Sequence, residues 1–142
     1  IVGFPDETGE DFKDTMDIVR DVEYDNIFSF NYSPRPETLA SKYDEQVLDG
    51  LKKERLFLLQ GLQKEITLKK NIAMTGRIED VMVEGASKMD TSELKGRTRC
   101  NRVVNLHGSS DLMGKIMPVK IEKACSNSLK GFVVTPLERG IC

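Results

Sequence analysis

Residues 74–85 read MTGRIEDVMVEG, and the spacing of apolar residues changes inside this stretch. Up to Met74 they recur every three to four positions, the period of a helix lying on a core. From Arg77 the period is two, that of a strand with one buried face. Gly76 stands between the two regimes and is well placed to terminate a helix. The chain therefore changes from helical to β-structure here, and its two sides call for separate readings.

Downstream, IEDVMVEG, GRTRCNRVVNL, GKIMPVKIEKA and NSLKGFVVTPL are strand candidates separated by Gly, Ser and Asp. The second run is long enough to break or bend into two strands. Four or five short strands in roughly sixty residues, with no helix, predict a small antiparallel β-barrel over residues 77–138. Upstream, Leu48, Leu51, Arg55, Leu59, Leu62, Ile66 and Ala73 trace one stripe, widened by Val47, Leu56 and Leu58. The spacing predicts a linker helix over 43–76, whose periodic run of some thirty residues would be roughly 45 Å long. Gly50 and Gly61 weaken it by about 1 kcal/mol each relative to Ala.

Residues 1–42, with the proline-rich SPRPET near their end, read as strand, helix, strand. IVGF is an apolar run ended by Pro5. Thr8 is a helix N-cap, with Asp11 three residues on as a capping-box variant. Phe12, Met16, Val19 and Val22 share one helix face, and NIFSFNYS follows as a second strand. Strand, helix and strand in so short a span predict a βαβ unit with a parallel pair. A domain seldom opens directly on a core strand, so the chain is expected to be a piece of a longer protein.

Composition bounds the function. Of 142 residues, 39% are hydrophobic and 31% charged, which describes a soluble folded protein. No apolar run approaches the ~18–20 residues of a membrane span, and no membrane partner is expected. Cys100, Cys125 and Cys142 show no CxxC or CxxxC spacing, so no metal site is expected within the chain. An odd number of unpaired cysteines suits the cytoplasm. Residues 1–76 carry 10 Lys/Arg against 15 Asp/Glu, and residues 77–142 carry 11 against 8. Only the second part suits a polyanion.

That cationic character peaks in KGRTRCNRVVNLHG (95–108), with four cations and no acid. Alternation predicts Arg97, Arg99, Asn101 and Asn105 on one face and Thr98, Cys100, Val104 and Leu106 in the core, with a bulge or strand end near Arg102. Arginine forks suit phosphate, whereas aromatics for base stacking are scarce, Phe132 being the one in this half. A solvated face is the plain alternative. His107, the single histidine, lacks any triad context and reads as a loop residue. In the first part, parallel strands would deliver Glu7, Tyr32, Ser33 and Arg35 to one rim, where ligands of α/β folds sit.

Three stretches in this order, IVGFPDETGEDFKDTMDIVRDVEYDNIFSFNYSPRPET, LKKERLFLLQGLQKEI and GRTRCNRVVNL, closely resemble radical S-adenosylmethionine methylthiotransferases, nearest the MiaB-type tRNA branch. The resemblance implies the end of a partial α/β barrel over 1–42, a linker helix, and an RNA-binding TRAM domain. It implies a parent enzyme that adds a methylthio group to a modified adenosine beside the anticodon. The parent would use S-adenosylmethionine and two 4Fe-4S clusters, held by cysteines outside this chain. No catalytic residue and no metal ligand match here, so the piece alone is expected to be inactive, free of bound cofactor, and monomeric.

Carried over by position, Gly3 and Glu7 match the family turn G-F-P-G-E near the S-adenosylmethionine pocket, with Asp6 replacing its second glycine. Tyr32, Ser33, Arg35 and Pro36 match Y-S-P-R-P-G-T, with Glu37 in place of glycine. Lys95, Gly96, Arg97, Thr98, Arg99, Asn101, Arg102 and Asn105 match the strand that would hold the tRNA anticodon arm. Two other readings stand beside this one: a non-catalytic RNA-binding module, and a sister enzyme acting on another tRNA adenosine or a ribosomal protein. In the ribosomal-protein branch an acid tends to replace Arg35 and the strand is less basic.

Overall fold

The computed structural model of the chain describes residues 1–87 and 93–134. Its internal contacts separate it into two compact units, Ile1–Thr67 and a second from Leu68 onward. Among the described residues no helix is long and apolar enough to cross a membrane.

The first unit is built on two helices. Helix α1 (Gly9–Val22) begins at the capping box that its sequence predicts: the Asp11 N–H donates to Thr8 Oγ1 at 3.1 Å, and the Thr8 N–H donates to Asp11 Oδ2 at 2.8 Å. It ends on Glu23, whose left-handed φ of 48° lets its N–H reach the Val19 carbonyl. Helix α2 (Asp49–Ile72) starts later than its periodicity suggests, because residues 40–42 form a separate 3-10 turn and Leu48 stays exposed ahead of the helix. Met16 and Val19 of α1 pack with Val2 and with Leu59 and Ile66 of α2, flanked by Phe12, Ile27, Leu56 and Leu62.

The two strands expected on either side of α1 shrink to one parallel bridge, Val2 with Asn31. The Val2 N–H donates to the Phe30 carbonyl at 2.9 Å, and the Tyr32 N–H donates to the Val2 carbonyl at 2.7 Å. The direction and register of a βαβ pair are thus present, but the ladder is one rung long. Only Val2 and Ile27 of these segments join the core, while Ile1, Phe28 and Phe30 are exposed, so little burial supports a longer pairing.

The second unit is a closed barrel. Strands β1 (Ile78–Ala86), β2 (Glu93–Thr98), β3 (Val103–His107), β4 (Ile116–Ala124) and β5 (Leu129–Val133) run in the order β1-β2-β3-β5-β4. The expectation of an all-antiparallel barrel needs one correction: β3 and β5 pair in parallel. An odd number of strands cannot alternate direction all the way around a closed ring, so one parallel pair is unavoidable.

Inward positions are apolar, with Val81, Val83, Leu94, Val104, Leu106, Val119, Ile121 and Leu129 filling the interior together with Met74. The ring is tight enough that glycine is needed where strands cross closely. A Cβ on Gly131 would stand 2.3 Å from the Lys120 carbonyl oxygen. After α2 the chain turns at Gly76 (φ 86°), whose N–H donates to Ile121 O at 2.8 Å and ties the turn to β4. The expected strand end and residues 135–138 of the predicted barrel span lie outside the described residues, as does Cys142.

Candidate functional site

The basic run does break in two, and the break moves several residues. Thr98–Asn101 form the hairpin turn between β2 and β3: Asn101 takes φ 62°, and its N–H donates to Thr98 O at 2.9 Å. Arg99 and Cys100 therefore sit on the turn, both exposed, and Cys100 is not a core residue. Asn has the short polar side chain that tolerates this left-handed position. Lys95 and Arg97 stay on the outer face of β2, with Asn105 opposite Lys95 on β3. Thr98 faces inward, 5% exposed, and its hydroxyl accepts the Arg102 N–H at 3.2 Å.

Arg102 is turned away from that face. Its guanidinium donates at 2.6 Å to the Oδ1 of Asn71, which is 2% exposed, and the Asn71 amide donates onward to Cys125 O at 2.9 Å. The arrangement ties the last turn of α2, the start of β3 and the β4–β5 connection together. Arg97 spans the hairpin, donating to Asn101 O at 3.2 Å and Asn101 Oδ1 at 2.8 Å. The bond fixes the Asn101 amide so that its N–H donors point away from Arg97, an orientation that suits a phosphate oxygen.

Sequence reasoning missed the acids beside these cations. Glu84 of β1 lies 3.0 Å from Arg97 and 3.6 Å from Lys95, and Asp80 lies 3.6 Å from Arg99. At the start of β2 itself, the nearly buried Glu93 carboxylate holds Lys130 at 2.8 Å and stands 3.8 Å from His107. The signal was in IEDVMVEG, where acids alternate with the buried Val81 and Val83. The cations of β2 and its turn are here paired with acids of the neighbouring strand.

In the first unit the Gly3–Glu7 turn is locked from inside. Gly3 takes φ 74°, and its N–H donates to Glu7 Oε2 at 2.9 Å. The other Glu7 oxygen accepts from Arg55 at 2.6 Å, and the same Arg55 nitrogen donates to Glu7 O at 3.0 Å. Both side chains are nearly buried, which explains an arginine inside the apolar stripe of α2. Lys52, also buried, packs its stem on Gly3 and sets its ammonium 5.6 Å from the Tyr32 ring centroid. Asp6 and Glu37, which stand where the family pattern has glycine, take φ 67° and 69°.

Tyr32, Ser33 and Arg35 meet in a groove of about 420 Å³, walled also by Phe4 and Phe30. Phe4 meets Tyr32 edge to face at 5.1 Å. Two buried atoms of groove residues, Asn31 Oδ1 and the Tyr32 hydroxyl, have no hydrogen-bond partner among the described residues. Aromatic walls with Ser33 and Arg35 beside them are the lining of a small-molecule groove, mostly apolar with a few polar groups. Gly3 and Glu7 do not line this groove but shape the turn that carries Phe4. The residues do not fit an iron–sulfur cluster: among the described ones no three His, Cys, Asp or Glu side chains converge to hold a metal.

Comparison with known proteins agrees with this architecture. The TRAM domain family model matches residues 73–134, from the turn after α2 to the residue following β5. The tRNA-2-methylthio-N(6)-dimethylallyladenosine synthase of Syntrophus aciditrophicus (strain SB) is 50% identical over 131 residues, covering 92% of this chain and 28% of the relative. Those of Syntrophobacter fumaroxidans and Clostridium botulinum (strain Okra / Type B1) are 47% and 49% identical, each over 92% of this chain and 29% of theirs. The chain thus spans less than a third of the length of these curated relatives. Residues 73–134 match a TRAM domain, and the chain is similar across both of its units to part of these tRNA-2-methylthio-N(6)-dimethylallyladenosine synthases.

Proposed function

We propose that the chain supplies the RNA-holding domain and part of the S-adenosylmethionine rim of a tRNA methylthiotransferase acting on a modified adenosine beside the anticodon. The observation that carries the reading is a match of 50% identity that runs through both units, not through the barrel alone. A lone RNA-binding module would have no need for the first unit's groove. Arg35, which lines that groove, favours a tRNA substrate over a ribosomal protein. Small five-stranded barrels hold oligonucleotides on the face of their second and third strands, a fold-level analogy that points to Lys95, Arg97 and Asn105. Arg99 and Asn101 extend that face at the turn, while Thr98 and Arg102 support it from behind.

In this reading Tyr32, Ser33 and Arg35 contact S-adenosylmethionine, and Gly3 and Glu7 position the neighbouring turn. S-adenosylmethionine and two 4Fe-4S clusters, with cluster ligands outside this chain, would supply radical chemistry and the transferred methyl group. The chain by itself would be an inactive, monomeric, cytoplasmic RNA binder without bound cofactor, directed to the anticodon arm. The test is complementation of cells lacking the methylthio modification with the longer parent gene, followed by mass analysis of tRNA nucleosides. Return of a 2-methylthio adenosine is expected. Its absence with a well-expressed parent would overturn the reading.

A further inference from the structure

Pairing of β1 with β2 slips by one residue between Val83 and Gly85: Val83 faces Gly96 and Gly85 faces Lys95, so Glu84 has no partner of its own. A bulge of this kind re-aims the side chain of its extra residue. Here it leans the Glu84 carboxylate over β2 between the two cations of the outer face, 3.6 Å from Lys95 and 3.0 Å from Arg97. Glu84 is 40% exposed in its side chain, so an incoming anion can reach the same place.

We propose that Glu84 is a built-in counter-ion of the RNA contact, occupying Lys95 and Arg97 until RNA phosphate displaces it, and so holding down affinity for RNA in general. The inference rests on the reading of the β2–β3 face as an RNA contact. A tethered carboxylate neutralises a cation without being released to solvent, so such a cation contributes less to counter-ion release than a bare one. Only RNA that brings several phosphates to the face at once, in the right geometry, compensates for the displaced carboxylate. Glu84 is then a specificity-determining residue: it penalises loose contacts with any polyanion more than a well-fitted one.

Glu84→Gln keeps the shape and the bulge while removing the charge. Titration of the full chain with an anticodon stem-loop RNA at about 50 mM salt should show roughly tenfold tighter binding for E84Q. The log-affinity against log-salt slope should steepen by about 0.7–0.9, so the gain shrinks about sixfold over a tenfold rise in salt. Unstructured RNA of the same length should gain more than the stem-loop. Glu122→Gln, the same charge change on β4, should alter affinity by less than about twofold. In a Lys95→Ala/Arg97→Ala background the E84Q gain should vanish. If E84Q does not fold by circular dichroism, Glu84→Ser takes its place in the same titration. A wild-type chain that binds RNA while the folded Glu84 variant binds no tighter overturns the counter-ion role. No RNA binding by wild type and variant alike overturns the RNA reading itself.

Discussion

Arg55→Met tests whether the Gly3–Glu7 turn is held by an interior ion pair. The wild-type pair is short, 2.6 Å, with side chains 7% and 13% exposed. Removing the guanidinium leaves the Glu7 carboxylate nearly buried, with the Gly3 N–H as its remaining donor among the contacts described. Breaking one partner of a buried pair costs about 3–5 kcal/mol, and the upper end applies to full burial. Glu7 keeps a strip of solvent and one strong hydrogen bond, while Met preserves packing against Phe12, so we place the loss at about 2–3 kcal/mol.

Removing both charges should cost less than removing one. Glu7→Gln/Arg55→Met retains an acceptor for Gly3 and leaves no orphan ion, so it should recover about 1–2 kcal/mol of the single variant's loss. Urea unfolding of the full chain, followed by the helical circular dichroism signal and fitted for each variant, gives both numbers. A cost below about 1 kcal/mol for R55M would refute the reasoning, as would a double variant less stable than R55M.

Asp6→Gly and Glu37→Gly relieve left-handed φ values of 67° and 69° and should each stabilise by up to about 1 kcal/mol, Asp6 less because a short polar side chain tolerates that region; urea melts check this. Gly131→Ala pushes a methyl to within 2.3 Å of a backbone oxygen and should cost about 3 kcal/mol or more, read as loss of cooperative barrel melting. The Thr8 hydroxyl, then the Thr8 N–H, hold the Asp11 carboxyl below the ordinary carboxylate range. That contribution is complete above the unfolded value of about 3.9 and lost as pH falls through the lower folded value, so Asp11→Asn should flatten the acid limb of a stability-against-pH curve.

What the sequence made legible were features decided by local chemistry. Thr8 and Asp11 form the capping box because both partners lie within one turn; Gly76, expected to terminate α2, instead takes the left-handed φ of the turn that follows the helix end at Ile72. The barrel was legible as a count of strands, and the inward set Val104 and Leu106 followed from alternation. Cys100 was misplaced because alternation was carried through a hairpin, where the period of two stops. Lys52 reads as a solvent cation by type, yet Gly3 leaves room for its stem and Tyr32 lies beside its ammonium, a tertiary match that no spacing reveals. Arg55 was the readable exception: a cation inside an apolar stripe calls for a buried partner, and Glu7 is that partner.

The basic strand shows why a charge pattern must be read across a sheet as well as along it. Taken along β2 and into the turn that follows it, Lys95, Arg97 and Arg99 form a one-signed row. Taken across to β1, Glu84 and Asp80 stand beside them, and the outer face is a paired surface with a small positive excess. Exposed pairs of this kind contribute about 0–1 kcal/mol each to stability, too little to explain the row by folding alone. Their effect on a polyanion is larger, because every phosphate must compete with a carboxylate already in place. Arg97 adds a second constraint, since its bonds to Asn101 fix the direction in which the hairpin presents its donors. Cations pre-aimed by their neighbours lose little freedom on binding, and anions that do not match the aim gain little from them. If the face holds RNA as proposed, the acids that weaken it as a general polyanion binder would therefore be what make it selective among polyanions.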